Sequence, residues 1–228
     1  MDELDRLTEP GRDLLRRVDD LLSSAGAPEV HRIWPLLRRL RALPGEAFGA
    51  FTELRPEPLA TAGHAVRQLI REYDDACAQL ADPGDWSGAG ASAFADVRSA
   101  LVAHLDEGPE SLVGRLESTG GYADALADWI DRSRLALART LAEALGSAEA
   151  VTVVAVTGAG GDGSADGAGR AAGAAAAEIG ARILATLSVA YDGAERLLRE
   201  WGPSLAESAY RPPAPAPNRF GLTTRIGR

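Results

Sequence analysis

Three groups of residues in this chain have types and spacings that could carry chemistry: a glycine-rich loop, one cysteine and three histidines. Gly158, Gly160 and Gly163 satisfy Gly-x-Gly-x-x-Gly and follow Val151-Thr152-Val153-Val154-Ala155-Val156, which reads as a strand. In a dinucleotide site that spacing brings a pyrophosphate against a helix N-terminus. The fingerprint also requires a second parallel strand ending in an acidic residue, and nothing after residue 170 has a strand pattern. The loop continues through Ser164-Ala165-Asp166-Gly167-Ala168-Gly169, a flexible-linker composition, without the Lys-Ser or Lys-Thr of a P-loop. A linker over residues 151–169 is the favoured reading, a nucleotide-binding enzyme using the Gly158–Gly163 loop is the disfavoured one, and no cofactor is expected.

The lone Cys77 excludes an internal disulfide and a cysteine-based zinc site. It falls on an apolar helical stripe without a basic neighbour in sequence, as expected of a small buried hydrophobe. His31, His64 and His104 are dispersed, without a second histidine at metal-ligand spacing. His64 and His104 fall near helical stripes, where a structural histidine is the commoner case. Asp19-Asp20 and Asp74-Asp75 are adjacent on helical segments, point different ways and read as solvated faces. No Gly-x-Ser-x-Gly elbow occurs. The expectation is a non-enzymatic protein with neither catalytic residues nor a metal site.

The composition of the elements that would hold such groups is equally directive. The chain has 228 residues, 46% of them hydrophobic but only 5% aromatic. Much of the apolar content is alanine, so helices can approach closely while each contact buries little area. All 24 basic residues are arginine, and the formal net charge is −9. That charge argues against nucleic-acid binding, which needs a basic surface to displace counterions. The Arg38, Arg39 and Arg41 cluster reads as a solvated helix face. Met1-Asp2-Glu3-Leu4-Asp5 lacks the basic-then-apolar order of a signal peptide. No run reads as long and apolar enough to cross a bilayer. A cytoplasmic protein, or one exported without a cleaved signal, is expected.

Apolar residues recur at spacings of three and four along most of the chain, which predicts an all-α fold. Leu14, Leu15, Val18, Leu21 and Leu22 mark a helix over 8–24, and Ile33, Trp34, Leu36, Leu37, Leu40 and Leu43 mark one near 29–43, with Pro35 in its first turn. These make an N-terminal helical segment, 1–55. Leu59, Ala62, Val66, Leu69, Ile70, Tyr73, Ala76, Cys77 and Leu80 form the stripe of a following helix, which Asp82-Pro83-Gly84 breaks. Ser87 can cap the next helix, striped by Ala91, Phe94, Val97, Leu101 and Leu105. The pair reads as a hairpin whose turn carries Trp86 and Gly88, the indole plugging the helix ends and the glycine turning the backbone. Its second arm looks interrupted at Glu107-Gly108-Pro109 and at Gly120-Gly121, with the helical period resuming from Leu112 to Leu145. After the linker, a C-terminal helix is expected over 170–209 and a proline-rich disordered tail over 210–228.

At Trp86, Gly88 and the small residues leading to Phe94, the chain resembles the Trp-X-Gly (WXG) helical-hairpin proteins exported by type VII (ESX) secretion systems. The resemblance covers residues 56–150, under half of the chain. It implies a bundle built around that hairpin and a protein partner, homo- or hetero-oligomeric, docked on the hairpin's apolar face. It further implies export without a signal peptide and contact with the secretion machinery. The all-arginine, alanine-rich composition fits the high-GC actinobacterial genomes in which such systems are common. Tyr191-Asp192-Gly193-Ala194-Glu195 matches the Tyr-x-x-x-Asp/Glu export signal of type VII substrates, with Tyr191 and Glu195 one turn apart on a helix. In the family this signal closely follows the hairpin, whereas here a glycine-rich segment intervenes. A type VII substrate, or a companion of one, is the reading this supports. A cytosolic chaperone, immunity or adaptor protein is the alternative.

Overall fold

The computed structural model describes residues 1–81, 87–109, 111–158 and 166–207. Among these residues the protein is all-α, with eight helices and no strand. They are α1 (Glu3–Ser24), α2 (Ile33–Leu40), α3 (Pro44–Thr52), α4 (Glu57–Ala81), α5 (Ala89–Asp106), α6 (Leu112–Leu145), α7 (Ala148–Gly158) and α8 (Asp166–Glu207).

Helix α1 starts five residues earlier than the apolar period indicates, because its N-terminus is fixed by polar groups. The Asp5 backbone N–H donates to Asp2 Oδ1 at 2.8 Å and the Asp2 N–H donates to Asp5 Oδ2 at 3.0 Å, a reciprocal cap. The helix then buries Leu4, Leu14, Leu15, Val18 and Leu21 along one side. The second predicted helix, 29–43, shortens to α2, which ends at Arg41 with left-handed backbone angles (φ 52°, ψ 32°). Pro44, just past the predicted helix, opens α3 at a position where a missing N–H costs nothing. Asp19 of α1 accepts from the Gly45 N–H at 3.1 Å and so caps α3 from outside.

Helix α8 is the axis of the bundle, packed by α1, α2, α3, α6 and α7. Its first half is buried over much of its circumference, including Ala172, Ala176, Ala177, Ile179, Ile183, Leu184 and Leu187. The dense alanines let five helices approach one. Contrary to the sequence expectation, α8 does contain an 18-residue window with mean hydropathy 1.3, apolar enough to cross a membrane. Of that window 67% is buried inside the molecule, the burial of a core helix.

The expected strand at residues 151–156 is instead part of α7, set at 63° to α6. Burial there follows the helical period: Ala150 and Val153 face α8 and α1, while Val151 and Val154 are exposed. Strand propensity reports fit to a half-buried pleated surface, and here a helix-lined groove was the surface on offer. With it goes the strand that a dinucleotide fingerprint requires before Gly158. Gly160 and Gly163 lie outside the described residues, as does the tail from 208 onward.

The core also contains a charge. Arg134 is 1% exposed on α6, and all of its N–H groups are engaged. Nε donates to Asp2 Oδ2 at 2.5 Å, Nη2 to Asp2 Oδ1 at 3.1 Å and to Asp5 Oδ1 at 2.8 Å, and Nη1 to the Thr52 and Leu54 carbonyls at 3.2 and 3.0 Å. One guanidinium thus joins the start of α1, the end of α3 and the middle of α6.

Candidate interaction surfaces

The hairpin region departs from a simple two-arm arrangement. Helix α4 packs most extensively along α6, antiparallel to it. Arg67 pairs with Asp124 across that interface. Helix α6 runs unbroken through Gly120-Gly121, the expected second interruption. The two glycines serve approach instead. A Cβ on Gly120 would stand 3.2 Å from Val66 Cγ1, and one on Gly121 2.6 Å from the Trp201 ring. Val66 of α4 and Trp201 of α8 therefore seat on adjacent residues of α6, a knob-in-notch contact that the helical period alone does not reveal.

Helix α5 lies against α4 and the start of α6. Its last residue, Asp106, is near enough to Cys77 to help raise that thiol's pKa, after burial and ahead of Asp74. Cys77 is buried, as expected. Gly88 caps α5 with φ 107°, the left-handed region that glycine tolerates, so the cap falls on Gly88 and not on the expected Ser87. Trp86 lies outside the described residues.

No residue of α5 is buried. Its expected core stripe faces outward instead, with Phe94 51%, Val97 68% and Leu101 42% exposed, and Leu69 of α4 adds 43%. The main apolar core draws on α1, α2, α3, α7, α8 and α6 from Trp129 onward, but contains no buried residue of α4 or α5. Together α4, α5 and the first half of α6 form an arm with little interior. His64 and His104, which fall near the helical stripes in the sequence, are both exposed. Across α4 and α5 six carboxylates (Glu57, Glu72, Asp74, Asp75, Asp96, Asp106) face three arginines (Arg67, Arg71, Arg98). The arm is apolar and acidic.

A second surface is the groove between α6 and α8, about 690 Å³ in volume. Its floor is small: Ser133, Ala136, Thr140, Thr186, Ala190 and Gly193. The Thr140 and Thr186 hydroxyls meet at 2.9 Å, and the Trp129 indole N–H donates to the Ala190 carbonyl at 2.8 Å. Val189, 67% exposed, and the half-buried Leu197 supply apolar walls. Arg132 and Arg196 stand on opposite helices, and Glu200 is the one acidic lining residue.

Tyr191 and Glu195 occupy one side of α8 but different environments. The Tyr191 ring packs edge-on against Phe51, with centroids 6.2 Å apart and planes at 90°. Glu195 is exposed. Between them Asp192 pairs with Arg39 of α2, holding that arginine's pKa above its ordinary value, with Glu195 adding to the effect. No cluster of metal-binding side chains occurs among the described residues. No protein family, curated protein or solved structure matches the chain.

Proposed function

We propose that this is a non-enzymatic helical protein that works by docking its α4–α5 arm on a helical partner, in the role of a type VII secretion substrate or the companion of one. The observation that carries the docking reading is α5 itself. An 18-residue helix without a single buried residue, exposing Val97 and Leu101, gains little from its own fold. It gains when a second apolar helix face covers it. The arm's acidic excess selects a partner whose apolar face is flanked by basic residues, since like charges across an interface are costly. The secretion context rests on the sequence resemblance at Trp86, Gly88 and Phe94 and on the Tyr191–Glu195 spacing.

Export tests the reading. The protein should appear, uncleaved, in the medium of a type VII-competent host and stay inside a strain lacking the secretion ATPase. Glu195→Gln and Tyr191→Phe remove the charge and the hydroxyl while keeping the ring that packs on Phe51, so each should block export without lowering intracellular level. Retention of the wild type in a competent host refutes the secretion reading and favours a cytosolic adaptor.

A further inference from the structure

Resting on the reading of the arm as a docking element, we infer that the α6–α8 groove of a second copy of this chain is a seat for it, so that copies associate head to tail. The two surfaces complement each other in charge, shape and length. The arm presents Val97 and Leu101 on α5, which also carries Asp96 and Asp106, while the adjoining α4 carries Asp74 and Asp75. The groove presents small residues and Val189 between Arg132 and Arg196, neither of which makes an ion pair among the described residues. A floor of Ser133, Ala136, Thr140, Ala190 and Gly193 lets a helix settle close, as small residues do wherever helices cross tightly. Phe94 to Leu101 spans about 10 Å along α5 and Arg132 to Thr140 about 12 Å along α6, at 1.5 Å per residue. An arm-on-arm dimer would oppose two acidic surfaces, whereas arm-in-groove sets the acidic arm against two arginines and a single glutamate, Glu200. Arm and groove are different patches, so the contact is heterologous. Each added copy leaves one arm and one groove open, and assembly runs to a ring or a chain. One helix face seated along about 10–12 Å of groove makes a small contact, of the kind that is transient.

Sedimentation velocity of the full chain decides the matter. Wild type should shift to larger species between about 1 and 500 µM, and raising salt from about 50 to 500 mM should weaken the shift. Val97→Asp, with its groove intact, should be monomeric. So should the double variant Arg132→Glu with Arg196→Glu, with its arm intact, each losing about tenfold or more in association. Mixed together, the two should form a heterodimer and stop there, because one intact arm meets one intact groove and nothing remains to extend it. A wild type that stays monomeric throughout overturns the inference but leaves docking on another protein standing. Association that survives the groove substitutions overturns it too and points to arm-on-arm contact, and a mixture that stays monomeric overturns it by removing both modes. Should the double arginine variant fail to fold, the salt series decides alone: association that strengthens with salt is hydrophobic and excludes the arginine-framed seat.

Discussion

At the scale of single residues, Arg134 and Asp19 carry the most consequence: the sequence did not single out Arg134, and Asp19, which reads there as part of a solvated face, is half-buried and caps α3. Arg134 follows Asp131-Arg132-Ser133 on α6, a polar stretch in which a charged side chain has every reason to face solvent. Its burial depends on Asp2 and Asp5, which read only as an acidic terminus. Arg134→Met should cost about 3–5 kcal/mol, since it strands two carboxylates and two carbonyls around an apolar side chain. A denaturant melt gives the figure, and a loss within error of zero would mean the ion cluster is dispensable. The carboxylates also set how stability follows pH. Burial is the main cause pushing Asp19 up to about 6, so the folded protein takes its proton more readily than the unfolded chain does. Stability should therefore fall as pH rises from 3.8 toward 6, and Asp19→Asn should remove that slope. Asp5 moves the other way. The hydrogen bond from Arg55, reinforced by Asp2 and Arg134, holds it at about 2, and its stabilising effect disappears as pH drops from 3.8 toward that value. Asp2, Glu149 and Glu178 are lowered as well and fail on the same acid side. Thermal stability is thus expected to peak between the two ranges, and a monotonic rise from pH 4 to 7 would contradict the assignment of Asp19.

Among the elements, the amphipathic helices were legible because their apolar spacing is dictated by the core: Leu14, Leu15, Val18 and Leu21 are buried as their period requires. Two elements were not. In α7, β-branched residues at 151–154 favour a strand locally, and only packing against α8 makes them helical. Val151→Ala with Val154→Ala should stabilise the protein by about 0.5 kcal/mol or somewhat more, because both valines are exposed and alanine is the better helix former. Destabilisation would show that these side chains are covered in solution. In α6, Gly120-Gly121 looked like a break and proved to be a docking notch, since a glycine's helix cost is offset when it admits Val66 and Trp201. Gly121→Val should cost about 1–3 kcal/mol through overpacking, although an isolated helix would tolerate it. The hairpin was only half readable. Its helices formed where their stripes indicated, but α4 chose α6 as its long partner, leaving the α5 stripe outside.

For the whole molecule, the bundle around α8 and the arm beyond it differ in how completely they bury themselves. A core with Phe48, Phe51, Leu137, Leu141 and Leu187 fully inside needs nothing further. The arm, with apolar residues on its surface and an excess of acidic ones, is the part we propose for docking a partner. Photo-crosslinking in the producing cell tests that claim most directly, with a reactive analogue placed in turn at positions 97, 101 and 151. Positions 97 and 101 should both join to the same helical protein, or to a second copy, through an apolar face flanked by arginines. Position 151, an equally exposed valine on α7, should not. Cross-links from 151 but none from 97 and 101, or an indiscriminate spread from all three, would contradict the account.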